Sequence, residues 1–316
     1  MPTRNTLGQE VLDGIFEFAF EQYDSIPQVY PLIFDVQNST KAYETGTDFT
    51  MDSAIEIVDE GDASRESKVV PGYTWGIANR KIMAKAKITR EAIEDGRISY
   101  QEIGAELGRK VAYFEDEHAH KIFNYGALTA GNEIFDYSIG GVITDPNPLF
   151  IYDGLPFFDT AHTITTGDDT FANHTATLAL SSANLITVLN TMENTNAVDN
   201  ANRPVMIKAD TLFVPSSLRF TAMTILNSTL MPGGMLNDTN VLNGALRVVE
   251  SRWLSDSDGW FVGAAKQGIK WYNRSPLQIN AEWDNDHQVW WVYLSKRVGV
   301  GVTNWRYWYG ANISAT

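Results

Sequence analysis

The run SYQEIGAELGRKVAYFEDEHAHKIFNY, residues 99–125, constrains this chain more than any other stretch. Ile103, Leu107, Val111, Phe114, His118 and Ile122 recur at steps of four and three, which places them on one stripe of an α-helix. Ser99 and Glu102 have capping-box spacing, and Glu106 with Lys110 and Glu117 with Lys121 are favourably ordered pairs one turn apart. At 1.5 Å per residue such a helix runs roughly 40 Å. A helix of that length with a single apolar stripe predicts the spine of a flat body rather than a member of a bundle.

The segments around it mix helix and strand. Residues 6–23 set Leu7, Val11, Ile15, Phe18 and Ala19 at helical spacing, weakened at Gly14, and Pro27 and Pro31 then force an extended segment. The pattern suits either an N-terminal arm that leaves the body or a packed first helix. Residues 49–58 read as a strand, 59–72 as a polar loop closed by Pro-Gly, and 73–89 as a second strand. In the latter Ile82, Ala84, Ala86 and Ile88 alternate with Lys81, Met83, Lys85 and Lys87, a basic face on a period of two. A hairpin of this kind has too little apolar surface to stand alone.

Further on, 183–194 reads as a helix, 206–215 as a strand and 216–228 as a helix entered through Ser216 or Ser217. Residues 245–254 and 259–272 read as strands, and 288–309 as one long strand or two consecutive ones, with Gly299 and Gly301 on one face. No repeat of 20–50 residues occurs. The fold class is α+β, with the early strand pair and the last strand available to one sheet.

The 316 residues suffice for one large domain or two ordinary ones. Thirty-nine acidic against 24 basic side chains, a net −15, argue against a protein whose main task is gripping nucleic acid. No apolar run is long enough to span a membrane, and MPTRNTLGQE lacks the layout of an export signal. With no cysteine there is no thiolate site or disulfide framework. Eight of nine tryptophans follow residue 250, which predicts dense packing of the C-terminal third.

Three constellations invite a chemical reading. Glu115 and His118 in EDEHAHK have the i,i+3 spacing of a carboxylate-bridged metal site, but that motif is needed twice and occurs once, so His118 reads as a core or interface histidine. Arg80, Lys81, Lys85, Lys87 and Arg90 could meet phosphates; a strand face awaiting a neighbour's carboxylates fits the acidic total better. In IYDGLPFFDTAH, residues 151–162, Asp153, Asp159 and His162 would serve a metal-dependent hydrolase only if further ligands and a base came from elsewhere. His174 and His287 lack ligand spacing, so a polar loop stapled by Phe157 and Phe158 is the better reading. Phosphate-binding glycine loops and a nucleophile elbow are absent.

Four stretches in order carry a resemblance: GYTWGIANRKIMAKAKITREAIEDG, the long helix, YDGLPFFDTAH and ADTLFVPSSLRFTAMTILNS. Together they resemble the major head (capsid) proteins of phage Mu and Mu-like prophages over roughly residues 70–230. The resemblance implies the tailed-phage major capsid fold shared with encapsulins. Its parts would be an N-terminal arm (1–45), an extended β-hairpin (46–89), a peripheral domain with the spine helix (90–126), an axial domain (127–275) and C-terminal strands returning to the peripheral domain (276–316). It also implies a structural subunit without catalysis or cofactor, assembling as hexamers and pentamers into an icosahedral head around double-stranded DNA that it does not bind specifically. Asp153, Asp159 and His162 then hold a loop by hydrogen bonds. Arg65, Glu66, Lys68, Arg80, Lys81, Lys85 and Lys87 become expected inter-subunit contacts.

Implied partners are other copies of the chain, a separate scaffolding protein, a head protease, a portal and, optionally, a decoration protein. Assembly is expected in the host cytoplasm, with no membrane involved. The chain starts almost directly with the arm, unlike longer capsid precursors, which fits either a separate scaffold or a processed form. An encapsulin-type compartment is the rival within the fold, and the metal-dependent hydrolase is the rival outside it.

Overall fold

The computed structural model of the chain describes residues 4–52, 57–63, 66–95, 99–127, 138–139, 142–143, 151, 153–164, 168–230 and 239–313. Helix α1 (Arg4–Ser25) is followed by a single turn, α2 (Tyr30–Ile33), and strand β1 (Asp35–Asn38). Next come β2 (Tyr43–Asp52), β3 (Lys68–Ala78), β4 (Arg80–Thr89), the short α3 (Arg90–Glu94) and the spine α4 (Tyr100–Asn124). The middle of the chain holds five two-residue strands: β5 (Ser138–Ile139), β6 (Val142–Ile143), β7 (His162–Thr163), β8 (Thr170–Phe171) and β9 (His174–Thr175). Then follow α5 (Ser182–Asn190), β10 (Thr211–Pro215), α6 (Arg219–Asn227) and β11 (Arg247–Ser251). The chain closes with β12 (Trp260–Gly263), β13 (Ile269–Asp284), β14 (Val289–Val302) and β15 (Trp308–Ala311).

Two sheets organise these elements. The first has the order β1-β13-β14-β4, and the second β11-β10-β12-β15-β9. In the first, β13 and β14 form a long antiparallel pair, and β4 joins β14 from Thr89 opposite Val289 to Arg80 opposite Val298. The main core runs between the sheets, where Phe123 of α4 sits 5.0–6.3 Å from six other aromatic rings; five of these, Phe34, Phe157, Phe213, Phe261 and Trp308, meet it edge-on. A second core lies where Leu185 and Val188 of α5 and Ala222, Ile225 and Leu226 of α6 cover the second sheet. The tryptophan-rich C-terminal third is therefore packed as its composition predicts: Trp260, Trp271, Trp305 and Trp308 are fully buried.

Helix α1 packs along α4 instead of leaving the body. Leu12, Ile15 and Ala19 are buried, and the helices touch so closely that a Cβ at Gly108 would lie 2.1 Å from the Ala19 carbonyl oxygen and one at Gly104 2.5 Å from that of Ile15. The spine thus has two covered sides: a small-residue side toward α1, and the stripe of Ile103, Leu107 and Val111 toward the first sheet, where those residues meet Val292, Ile279, Leu277 and Leu294.

Several expectations change in detail. Ser99 stands at the N-cap of α4 but makes no side-chain capping bond. The strand expected over 73–89 divides at Asn79, so β3 pairs with β2 while β4 belongs to the first sheet. Asn79 turns away from strand pairing because its amide nitrogens donate to the Ala42 and Lys41 carbonyls and to the Ser39 hydroxyl, which ties the hairpin base to residues 39–42. Gly299 and Gly301 make this possible, since Ile77 and Asn79 sit where their side chains would be. Residues 259–272 form two strands in different sheets, separated by a turn with Lys266 at φ 63°. The last segment is two strands, and β15 ends in the second sheet instead of returning to the first.

Candidate functional site

The loop that looked most like a catalytic centre brings two of its three polar residues together. The carboxylate of Asp153 accepts from His162 Nδ1 at 2.7 Å, and both side chains are buried. On the other side of the ring, Nε2 faces the Phe157 carbonyl at 3.2 Å and Asn173 Oδ1 at 3.1 Å. The Asn173 amide is fixed the same way round, because its Nδ2 donates to the Phe157 carbonyl while its Oδ1 accepts from the Asp159 amide. All partners of the imidazole are groups of the chain itself, so both edges of the ring are taken up inside the cluster.

Asp159 takes a different role. Its carboxylate accepts from the Ala161 amide two residues on, a local turn bond, and makes no contact with the ring. Trp305 stacks on His162 at 4.7 Å with an interplanar angle of 9°, sealing the cluster. The chemistry is that of a staple: it ties the 153–162 loop to the β9 entry and to the turn before β15. Asn173 completes the staple and was not singled out in the sequence, where the neighbouring His174 drew attention instead. Among the described residues no group of three or more His, Asp or Glu side chains converges as a metal set.

The EDEHAHK segment is also internal. Glu115 is fully buried and pairs with Lys296 of β14, itself 6% exposed. Tyr23 of α1 donates to Glu115 at 2.8 Å and accepts from Lys296 at 2.7 Å, and Gln28 donates to the same carboxylate at 2.9 Å. Burial, then the Glu115 charge, pushes the Tyr23 phenol up, so it stays a donor. Asp116 accepts from the amides of Val29 and Tyr30 and fixes the start of α2. His118 stacks on Phe114 at 5.6 Å and meets Trp271 edge-on; burial holds it down at about 4. This polar network joins α1, α2, α4 and β14, and its long-range partners Tyr23 and Lys296 carry no spacing signal that the sequence could reveal.

What reaches the surface is of another kind. The hairpin β2–β3 leans on the loop after α5: Thr50 donates to Asp199, Asn200 donates to Asp48, and Arg203 donates to Thr50 and Asp199. Its described tip residues 57–62 are exposed. Of the expected contact residues, Arg65 lies outside the described residues, and Glu66 and Lys68 are exposed at the hairpin. Arg80 is half-buried beside α4, while Lys81, Lys85 and Lys87 are exposed on the edge strand β4. Lys85 and Lys87 lie over the Trp291 ring at 4.5 and 5.9 Å, so part of the basic face already has a partner in its own sheet.

Known proteins place this geometry in context. The sequence profile of a family described as phage capsid protein matches residues 84–311. Comparison with curated proteins gives no match. Among solved structures, the capsid of the cyanophage P-SCSP1u is similar with a TM-score of 0.55 at 11% identity, covering 92% of this chain and 89% of that one. The capsid of bacteriophage JBD30 decorated with minor capsid protein trimers is similar at TM-score 0.51 and 17% identity, over 73% of this chain and 92% of the other. A virus-like particle from Pyrococcus furiosus reaches TM-score 0.50 at 8% identity, over 96% and 99% of the two chains. At such identities the likeness establishes a shared fold.

Proposed function

The chain belongs to the phage capsid protein family, and from that premise we propose that it assembles as hexamers and pentamers into an icosahedral head enclosing double-stranded DNA. It is a structural subunit of the virion capsid and not an enzyme. The observation that carries the proposal is that the family match runs from β4 to β15 and so takes in the spine and strands of both sheets. The hairpin adds support, since Phe49, Met51 and Val69 on it are exposed, apolar surface that a lattice neighbour would cover.

In this reading residues 1–45 are the arm, with α1 laid along the spine, 46–89 the extended hairpin, 90–126 the peripheral domain, 127–275 the axial domain and 276–316 the C-terminal strands, of which β14 lies in the sheet under the spine and β15 in the second sheet. Arg65, Glu66, Lys68, Arg80, Lys81, Lys85 and Lys87 meet neighbouring subunits. A separate scaffolding protein, a head protease, a portal and, optionally, a decoration protein act with it, and assembly takes place in the host cytoplasm. The JBD30 capsid, decorated with minor capsid protein trimers, supports a decoration partner by analogy of fold. The four sequence stretches named above support the Mu-like subgroup within the family. A chain of net charge −15 leaves packaged DNA free to slide. The compartment reading has only the likeness of fold to the Pyrococcus particle behind it.

Negative-stain electron microscopy of the expressed chain tests the proposal, alone and with the products of adjacent genes. Closed shells of uniform size are expected. Deleting residues 60–70 should leave a folded subunit that forms none; normal shells from the deletion would refute the inter-subunit role of the hairpin.

A further inference from the structure

A cleft of about 470 Å³ opens where β13 leaves regular pairing. Strand β1 stops at Asn38, opposite Asn273. From there β13 takes five steps, 273 to 278, while β14 takes three, 298 to 295, which makes a bulge that carries the exposed Pro276. The lining of the cleft combines Tyr23 of α1 and the buried Lys296 of β14 with Asn38, Asn273, Arg274 and Ser275.

The two cations of this lining are unequally matched. Lys296 is neutralised by Glu115, and the Tyr23 hydroxyl is taken up by the same pair. Arg274 pairs with no carboxylate among the described residues: its Nη1 donates to the Ser39 carbonyl at 3.4 Å, and its Nε is buried without a hydrogen-bond partner. The carboxylates of the adjoining strands are engaged elsewhere, Asp35 with Lys270 at 4.0 Å, and Glu44 with Lys41 and the Ser39 hydroxyl. A buried donor left unmatched is costly. A water molecule would satisfy the N–H but not the charge. Donors also stand beside the guanidinium. The Asn273 oxygen accepts from the Trp271 indole, which leaves its amide nitrogen to donate elsewhere, and the Ser275 hydroxyl lines the same cleft.

We propose that this cleft binds a phosphate group, free or carried by a small organic molecule, with Arg274 gripping two of its oxygens and the Asn273 amide and Ser275 hydroxyl donating to the others. With Nη1 turned to Ser39, the Nε–Nη2 edge of the guanidinium remains, and that edge offers the two parallel N–H groups that match an oxyanion. The volume exceeds what one phosphate needs and leaves room for an attached group. The bound anion bridges β1 and β13 beside α1. This goes beyond the shell reading and does not depend on it.

Titrating the unassembled subunit with inorganic phosphate, at an ionic strength held constant with sodium chloride, tests the site. Saturable broadening of the phosphorus NMR line and a saturable rise in melting temperature are expected. A deoxynucleoside monophosphate is run in parallel. Equal affinity assigns the site to the phosphate group alone, and tighter binding extends it to the attached nucleoside; both support the proposal. Arg274→Gln should weaken either ligand about tenfold or more, and Arg274→Lys, which keeps the charge but not the fork, should fall between. Asn273→Asp keeps an acceptor for the Trp271 indole and sets a carboxylate beside the anion, so it should abolish binding in a folded chain. If Arg274→Gln does not fold, Asn273→Asp carries the test. No saturable response, a melting shift that sodium chloride alone reproduces, or undiminished binding in the folded variants would mean an adventitious ion only and would overturn the site.

Discussion

Replacing Lys296 by Met puts a definite strain on the structure. Lys296 is 6% exposed and Glu115 fully buried, so the ammonium is the counter-charge of a carboxylate that water does not reach. Removing it leaves Glu115 with the Tyr23 hydroxyl and the Gln28 amide as its donors, two neutral groups at 2.8 and 2.9 Å. Breaking a buried pair by deleting one partner costs about 3–5 kcal/mol, because the remaining charge stays desolvated. For a chain of this size about 2–4 °C is lost per kcal/mol, so the melting temperature of the unassembled subunit should fall on the order of 6–20 °C. Adding Glu115→Gln removes the orphan charge yet keeps an acceptor for Tyr23, and the double variant should recover about 2 kcal/mol or more of that loss. Because Tyr23 ties α1 into the cluster, limited proteolysis near residues 25–29 should quicken in the single variant and slow again in the double. Urea melts of the four proteins in the cycle decide the matter. A cost under about 1 kcal/mol for Lys296→Met, with strict additivity, would mean that the pair is solvated and does not hold α1 to the spine.

Phe123→Ala should cost about 3–5 kcal/mol, since the surrounding rings cannot collapse into the gap, whereas Phe114→Ala, at a side chain 38% exposed, should cost well under half of that in thermal melts of the free subunit. His162→Ala should destabilise by about 3–5 kcal/mol by orphaning buried Asp153, while Asp159→Ala, which removes one exposed turn bond, should cost about 1 kcal/mol or less; equal effects would refute the staple. His120 is 1% exposed and burial lowers it to about 4, below the unfolded value of 6.5, so between those pH values the unfolded chain binds a proton that the folded one does not. Its share of stability is present above pH 6.5 and lost as pH falls toward 4, about 3 kcal/mol in all; His120→Gln should flatten that part of the stability–pH curve measured by urea melts.

Local order was written plainly in the chain. The 99–125 pattern specifies a helix because apolar residues recur at its period, and α4 spans Tyr100–Asn124. The alternation over residues 80–88 specifies a strand with a basic face for the same reason, and Lys81, Lys85 and Lys87 are exposed on β4. Of the three polar residues in the 151–162 stretch, Asp153 and His162 meet in one hydrogen bond, while Asp159 accepts from the Ala161 amide apart from them.

Partnership across the chain was decided only by the tertiary structure. Nothing local distinguishes the β3 part of residues 73–89 from the β4 part; they separate because Asn79 finds donors' targets at residues 39–42 and because Gly299 and Gly301 open space for Ile77. Period alone placed Phe114 inside, but a stripe shows only which residues share a face, and whether that face is covered depends on how far β4 stands from α4. Lys296 lies on an alternating strand and reads as a surface lysine until folding sets it 181 positions from its own neighbourhood, against Glu115. Sequence fixes the period of each element through backbone geometry, whereas burial of charge and contact between distant faces are properties of the packed whole, since they depend on which water has been excluded and by what.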